Sequence, residues 1–216
     1  MAKIIKSIKD EVGQKHFRVA IFGSARASAE NADYKEVFAL GKKIGEAGHD
    51  IVTGGGPGLM EAAGKGFNSG KNGTNHNIGL TVKLPWEFAK NPYLDIDKDF
   101  EKFSDRLDEF MALSNLVVIS PGGVGTCLEF FYTWQLTQVK HICNIPIIMM
   151  GEMWQEMIQW IEKWPLKKDY ISSGDMKNLH FADSHEKAFK YIEKANELFV
   201  KLGDGYCLNW KKYKLD

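Results

Sequence analysis

Val117-Val118-Ile119-Ser120-Pro121-Gly122-Gly123-Val124-Gly125-Thr126-Cys127-Leu128-Glu129 reads as a short apolar strand, a glycine-rich turn and the first turn of a helix. That order places several free backbone N–H groups around one anion. Gly122, Gly123, Gly125 and Thr126 are the small or hydroxyl-bearing types that let a phosphate approach the main chain and add one side-chain donor; Val124 lies in the same turn. Glu129 faces the same mouth. A carboxylate in a first helical turn is also favoured by the helix dipole alone, so its role rests on its surroundings.

The same pattern recurs upstream. Asp50 to Thr53 reads as a strand running into Gly54-Gly55-Gly56-Pro57-Gly58, followed by a helix over Leu59 to Phe67 that begins with Met60 beside the glycines. Before it, the β-rich run Phe17 to Phe22 ends at Gly23-Ser24-Ala25, and helical spacing from Ala32 to Ala47 is stopped by Gly48. Gly23, Ser24, Gly54, Gly55, Gly56 and Met60 are thus candidates for the same anion site.

Around these units the chain keeps alternating. Residues 68–77 read as a surface loop, Ile78 to Leu84 as a strand closed by Pro85, and Trp86 to Asp99 as an irregular excursion over the strand ends, where binding residues often sit. Helical spacing returns over Phe100 to Leu113. Ile145 to Met150 reads as a strand, Glu152 to Trp164 as a helix, Leu179 to Phe181 as a last strand and Ser184 to Val200 as a closing helix capped by Ser184. The expectation is a single doubly wound α/β domain, Rossmann-like, with a mainly parallel sheet over residues 17–200. Residues 1–16 are expected to form a helical extension, and residues 201–216 a tail that the pattern does not place. In such folds ligands bind beyond the carboxyl ends of the strands, so the three glycine or serine turns should converge there.

Composition narrows the partners. Lys plus Arg and Asp plus Glu both number 28, so no global field favours nucleic acid or an anionic membrane, and any anion site must be local. The three cysteines, Cys127, Cys143 and Cys207, are odd in number and lack CxxC spacing, which argues against a disulfide framework or a zinc site and suits a reducing cytoplasm. The histidines show no HxH or HExxH spacing, so no metal is expected. No signal-peptide pattern or long apolar run is present, and a cytoplasmic protein is the expectation.

Details then select among phosphate ligands. Gly23-Ser24-Ala25-Arg26-Ala27-Ser28 is not the GxGxxG turn that admits a dinucleotide pyrophosphate, and the second strand ends in Thr53 where a ribose-binding acid would be wanted. Neither glycine turn is followed by the Lys-Ser/Thr pair of a P-loop. One phosphate on a mononucleotide or sugar fits what remains, with no cofactor. Trp86, Phe88 and Tyr93 could stack on a base or simply pack. Cys127, at a helix N-terminus, reads as reactive or as a small packed residue. The face formed by Trp154, Met157, Ile158 and Ile161 reads as core or as a partner surface.

The paired motifs GGGPGLMEAA (Gly54 to Ala63) and PGGVGTCLE (Pro121 to Glu129), with Leu84-Pro85, Asn91-Pro92-Tyr93 and the spacing to Arg106, resemble the LOG family, also labelled lysine decarboxylase-like. The resemblance covers roughly Val19 to Trp154. It implies a Rossmann-like homodimer and a phosphoribohydrolase that cleaves the N-glycosidic bond of AMP or a cytokinin-type nucleoside 5′-monophosphate. By the same resemblance Arg106 matches the catalytic arginine, Glu129 the last acid of PGGxGTxxE, and Gly122 to Thr126 the phosphate-binding turn. Arg106 would act on the anionic part of the substrate or on the leaving base. Leu107 and Leu128 depart from the hydrolase pattern, which has a lysine and an acid there. The alternative is a non-catalytic carrier of a nucleotide or of a phosphate-bearing cofactor such as molybdenum cofactor.

Overall fold

The computed structural model describes residues 16–83 and 89–213. The expected N-terminal helix, Trp86 and Phe88 therefore lie outside the described residues. Strands β1 (Arg18–Phe22), β2 (Asp50–Thr53), β3 (Asn77–Val82), β4 (Ile96–Phe100), β5 (Leu116–Ile119), β6 (Ile147–Met150) and β7 (Leu179–Ala182) form one sheet in the order β4-β3-β2-β1-β5-β6-β7. Every pairing is parallel. The helices are α1 (Ala32–Glu46), α2 (Leu59–Gly70), α3 (Phe103–Leu113), α4 (Val124–Gln138), α5 (Met153–Ile161), α6 (His185–Leu202) and the short α7 (Asn209–Lys212), with a π-helical turn, Glu162–Leu166, after α5.

A parallel sheet needs crossovers, and the helices of those crossovers cover both faces. The period of two along β1 divides the core accordingly. Val19 and Ile21 pack with Val37, Leu40, Phe67 and Ile192 on one face, while Ala20 and Phe22 pack with Phe110, Phe130 and Trp154 on the other. Trp154 and Ile161 are fully buried, and Met157 and Ile158 pack against the same cluster, so that face of α5 belongs to the core.

Strand order reverses direction of growth at β1, which lies between β2 and β5. This is the switch point at which the crossover loops part and a crevice opens. The β1 and β5 turns are stitched together there, since the Ser24 N–H donates to Pro121 O at 3.0 Å.

Three expectations need correction. The stretch Trp86 to Asp99 is not wholly irregular, because Ile96–Phe100 forms the edge strand β4, with only Ile96 and Phe100 buried. Its three central residues, Asp97, Lys98 and Asp99, face solvent, and charge on an edge strand hides the β signal while protecting the edge. The loop at 68–77 is not wholly at the surface either: α2 runs on to Gly70, and Asn75 is buried with its Nδ2 donating to Gly45 O and His49 O. Finally, Cys143 and Cys207 form a disulfide across 64 positions, with Cys127 free. No spacing motif marks a pair so far apart. That bond docks the tail, of which α7 is part, onto the domain.

Helices α1 and α2 touch main chain to main chain. A Cβ on Gly66 would lie 2.0 Å from Phe38 O, and one on Gly41 2.3 Å from Ala63 O. Backbone cannot yield as a side-chain tip can. Gly66→Ala should therefore destabilise the domain by about 1–3 kcal/mol, measured as a lowered urea midpoint, whereas alanine at the open position Gly205 should meet no such contact.

Candidate active site

The site forms where the turns after β1, β2 and β5 meet. The Leu59 N–H donates to Ser24 O at 2.8 Å, and a Cβ on Gly58 would fall 2.3 Å from that same oxygen, so glycine with φ of 71° is required to bring the second turn against the first. Gly23 sits against Leu59 and Ser120. Met60 lies over the glycines of its turn, its Sδ 2.6 Å from the Cβ position of Gly54 and its Cε 2.9 Å from that of Gly56. Gly55 takes a φ of 68°. Ser24 thus adjoins the Gly122 turn, and Gly54 lies against the arginine described below, with Met60 beside it.

Residues 122–126 form the open end of α4. The helix begins at Gly123 with no side-chain cap, leaving first-turn N–H groups directed outward. Nothing lies within 4 Å of the Cβ positions of Gly123 and Gly125, and Val124 is 88% exposed. Thr126 is buried, with its Oγ1 folded back over Gly122. The turn is accessible main chain at the positive end of a 15-residue helix.

The same helix carries one half of a buried ion pair. Arg106, on α3, donates from Nε to Leu80 O at 2.7 Å and places Nη1 3.5 Å from Glu129 Oε1 on α4. The guanidinium also covers Gly54, where a Cβ would lie 2.3 Å from Nη2, and stacks over the Phe110 ring at 5.2 Å. Both side chains are about 10% exposed. Burial raises Glu129 to about 7, against the opposing pull of the Arg106 charge. Burial also lowers Arg106, which nevertheless keeps its proton, as guanidinium groups do in proteins. The result is a carboxyl group that exchanges its proton near neutrality beside a fixed cation. That is the condition for general acid–base work.

Sequence reasoning left several residues of this edge without a settled role. Asn91, 5% exposed, clamps the second turn, its N–H donating to Gly55 O and its Nδ2 to Gly56 O. A cavity of about 250 Å³ beside Gly122 is lined also by Ser24, Arg26, Asn31 and Asp33. Asn31 caps α1, its side chain accepting from the Asp33 N–H. Tyr93 is tied down through its carbonyl, which accepts from Asn77 Nδ2 and Asn68 Nδ2. Cys127 is partly buried against the core. Leu107 is buried, whereas Leu128 is 46% exposed on the outer side of α4.

Among the described residues, two clusters of metal-ligating types lie elsewhere. His16, Asp50 and His76 gather at the N-terminal ends of the strands, where Asp50 accepts from His16 Nδ1 and the His76 N–H and is ion-paired with Arg18. His185 sits between Glu36 and Glu186 at the start of α6.

Residues 60–192 match the family model described as possible lysine decarboxylase. The chain belongs to this family, the LOG family. Among curated proteins of the family, it is 34% identical over 206 residues to the pyrimidine/purine nucleotide 5′-monophosphate nucleosidase of Escherichia coli (strain K12), covering 85% of this chain and 43% of the relative. It thus spans less than half of that relative. The fold is shared with the molybdenum cofactor binding protein of Rippkaea orientalis, at TM-score 0.61 and 18% identity over 89% of this chain and 98% of that one. The molybdenum cofactor carrier protein of Chlamydomonas reinhardtii has a TM-score of 0.59 and 22% identity over 84% of this chain and 99% of its own. Among the described residues no helix of this LOG-family chain is long and apolar enough to cross a membrane.

The raised Glu129 also links stability to pH. Its folded-state value of about 7 exceeds the ordinary 4.5, so the folded protein holds a proton that the unfolded chain releases. This contribution is complete below pH 4.5 and is lost as pH rises through 7. Relative to Glu129→Gln, which does not titrate, the native protein should lose on the order of 3 kcal/mol across that window, read from urea unfolding at a series of pH values.

Proposed function

We propose that this chain hydrolyses the N-glycosidic bond of a nucleoside 5′-monophosphate, AMP or a cytokinin-type nucleotide, giving free base and ribose 5-phosphate. The observation that carries the reading is the buried Arg106–Glu129 pair, whose carboxylate stands on the helix that opens at the uncapped glycine turn. The name of the Escherichia coli relative, a nucleotide 5′-monophosphate nucleosidase, supports the reaction class.

The backbone N–H groups of Gly123 to Thr126 bind the 5′-phosphate at the positive end of α4, with the Gly122 turn admitting it closely. This remote grip orients the ribose over the ion pair. As the C1′–N bond lengthens, positive charge builds on the ribose, and the Glu129 carboxylate stabilises it. Water attacks C1′, its hydroxyl joining the sugar and its proton passing to Glu129, whose affinity near neutrality suits it to receive one. The departing base takes up a proton from solvent, and Glu129 returns to solvent the one it received, so that one water is consumed in all. Arg106 holds Glu129 in place and keeps a share of its population ionised.

A second copy of the chain is proposed to cover the outer face of α4. Helix α4 is apolar on both sides: Phe130 and Trp134 are buried in the core, while Val124, Leu128 and Phe131 are exposed. Leu128→Asp paired with Phe131→Asp should sediment as a monomer where the native chain sediments as a dimer.

Leu107 and Leu128, standing where the hydrolase pattern has a lysine and an acid, favour a second reading. In it the chain carries a phosphate-bearing cofactor, as the molybdenum cofactor carriers that share its fold do. Incubation with AMP, a cytokinin monophosphate, GMP and CMP, followed by chromatography of free base, separates the two. The hydrolase reading expects base release that falls at least about 100-fold in Glu129→Ala and Arg106→Ala, and that rises with pH through about 7 on its acid side. A carrier binds without release, and its binding survives Glu129→Ala.

A further inference from the structure

The tail beyond α6 is fastened to the two helices that carry the Arg106–Glu129 pair. Its disulfide joins Cys207 to Cys143, ahead of β6. Asn209, 2% exposed, accepts from the Cys143 N–H at 2.8 Å and donates from Nδ2 to Ser114 O at 3.0 Å, at the C-terminal cap of α3. Lys212 Nζ donates to Ile142 O at 2.9 Å. The Tyr213 hydroxyl donates to Asp108 Oδ1 on α3, the same oxygen that receives the hydroxyl of Tyr132 from α4, and the two phenol oxygens are 3.1 Å apart.

Asp108 follows Arg106 by two residues, and Tyr132 follows Glu129 by three. Helices α3 and α4 are therefore joined by two polar rungs, Arg106–Glu129 facing the sheet edge and Asp108–Tyr132 closed from outside by Tyr213. We propose that Tyr213 is a positioning residue: held by the disulfide-anchored tail, it keeps Asp108 against Tyr132 and so sets the gap between Arg106 and Glu129. The proposal rests on reading those two as the working pair.

Both phenols stay protonated, because burial and the Asp108 carboxylate raise Tyr132 and Tyr213 above the ordinary phenol range. The rung thus persists across the pH range in which Glu129 titrates. Without the Tyr213 hydroxyl, Asp108 loses one of its two phenol donors, and α3 is free to roll on α4. Widening the 3.5 Å gap weakens the pull of the guanidinium on Glu129. The carboxyl should then titrate higher, and the turnover step should slow, while the glycine turn at the other end of α4 keeps its hold on phosphate.

The test uses the full chain with Tyr213→Phe, Cys207→Ser and, as a control, Tyr170→Phe at an exposed tyrosine. Glu129 is titrated by carboxyl-carbon NMR, and base release is followed at steady state. The expected result is an upward shift of the Glu129 midpoint in both tail variants, with kcat down about 10-fold and KM changed less than about 2-fold, the control matching the native protein. A fall in thermal stability with the Glu129 midpoint and kcat unchanged would overturn it. Should no form release base, the titration still decides: a shifted midpoint upholds the positioning role and an unshifted one overturns it, while the failure of hydrolysis counts against the reaction alone.

Discussion

The structure turns on two opposite charges taken out of water together at the end of a parallel sheet. A lone buried carboxylate would hold its proton to high pH, and a lone buried guanidinium would leave its donors unmet. Arg106 and Glu129 share the cost, and Leu80 O takes the remaining Nε donor. The balance is incomplete, since burial still lifts Glu129 to about 7. Buried pairs of this kind are weak sources of stability.

Much of the surrounding architecture serves that placement. The switch point at β1 parts the crossovers and leaves a crevice, and the bond from Ser24 N–H to Pro121 O closes its floor. Gly54 must lack a side chain because the guanidinium occupies the space. Asn91 holds the second turn from the far side. Gly41 and Gly66 let α1 and α2 pack main chain against main chain on one face of the sheet.

The alternation of strands and helices, the parallel sheet and the convergence of three turns were legible because each rests on local signals: apolar runs of strand length, glycines at strand ends and a Ser184 cap. What escaped had no local signal. Strand β4 presents Asp97, Lys98 and Asp99 to water at a sheet edge and so resembles a loop. The Cys143–Cys207 bond and the contacts of Asn209 and Tyr213 join segments far apart in the chain, and only the fold brings them together. Arg106 itself was legible through the family resemblance; the residue alone looked like any arginine on a helix. Its burial and its distance to Glu129 required coordinates.

The most direct measurement is a crystal structure of the protein soaked with ribose 5-phosphate, the sugar product that the account assigns. Phosphate oxygens are expected on the backbone N–H groups of Gly123 to Thr126, with the ribose hydroxyls within hydrogen-bond reach of Glu129. Phosphate bound away from this turn, or C1′ directed away from the Arg106–Glu129 pair, would contradict it.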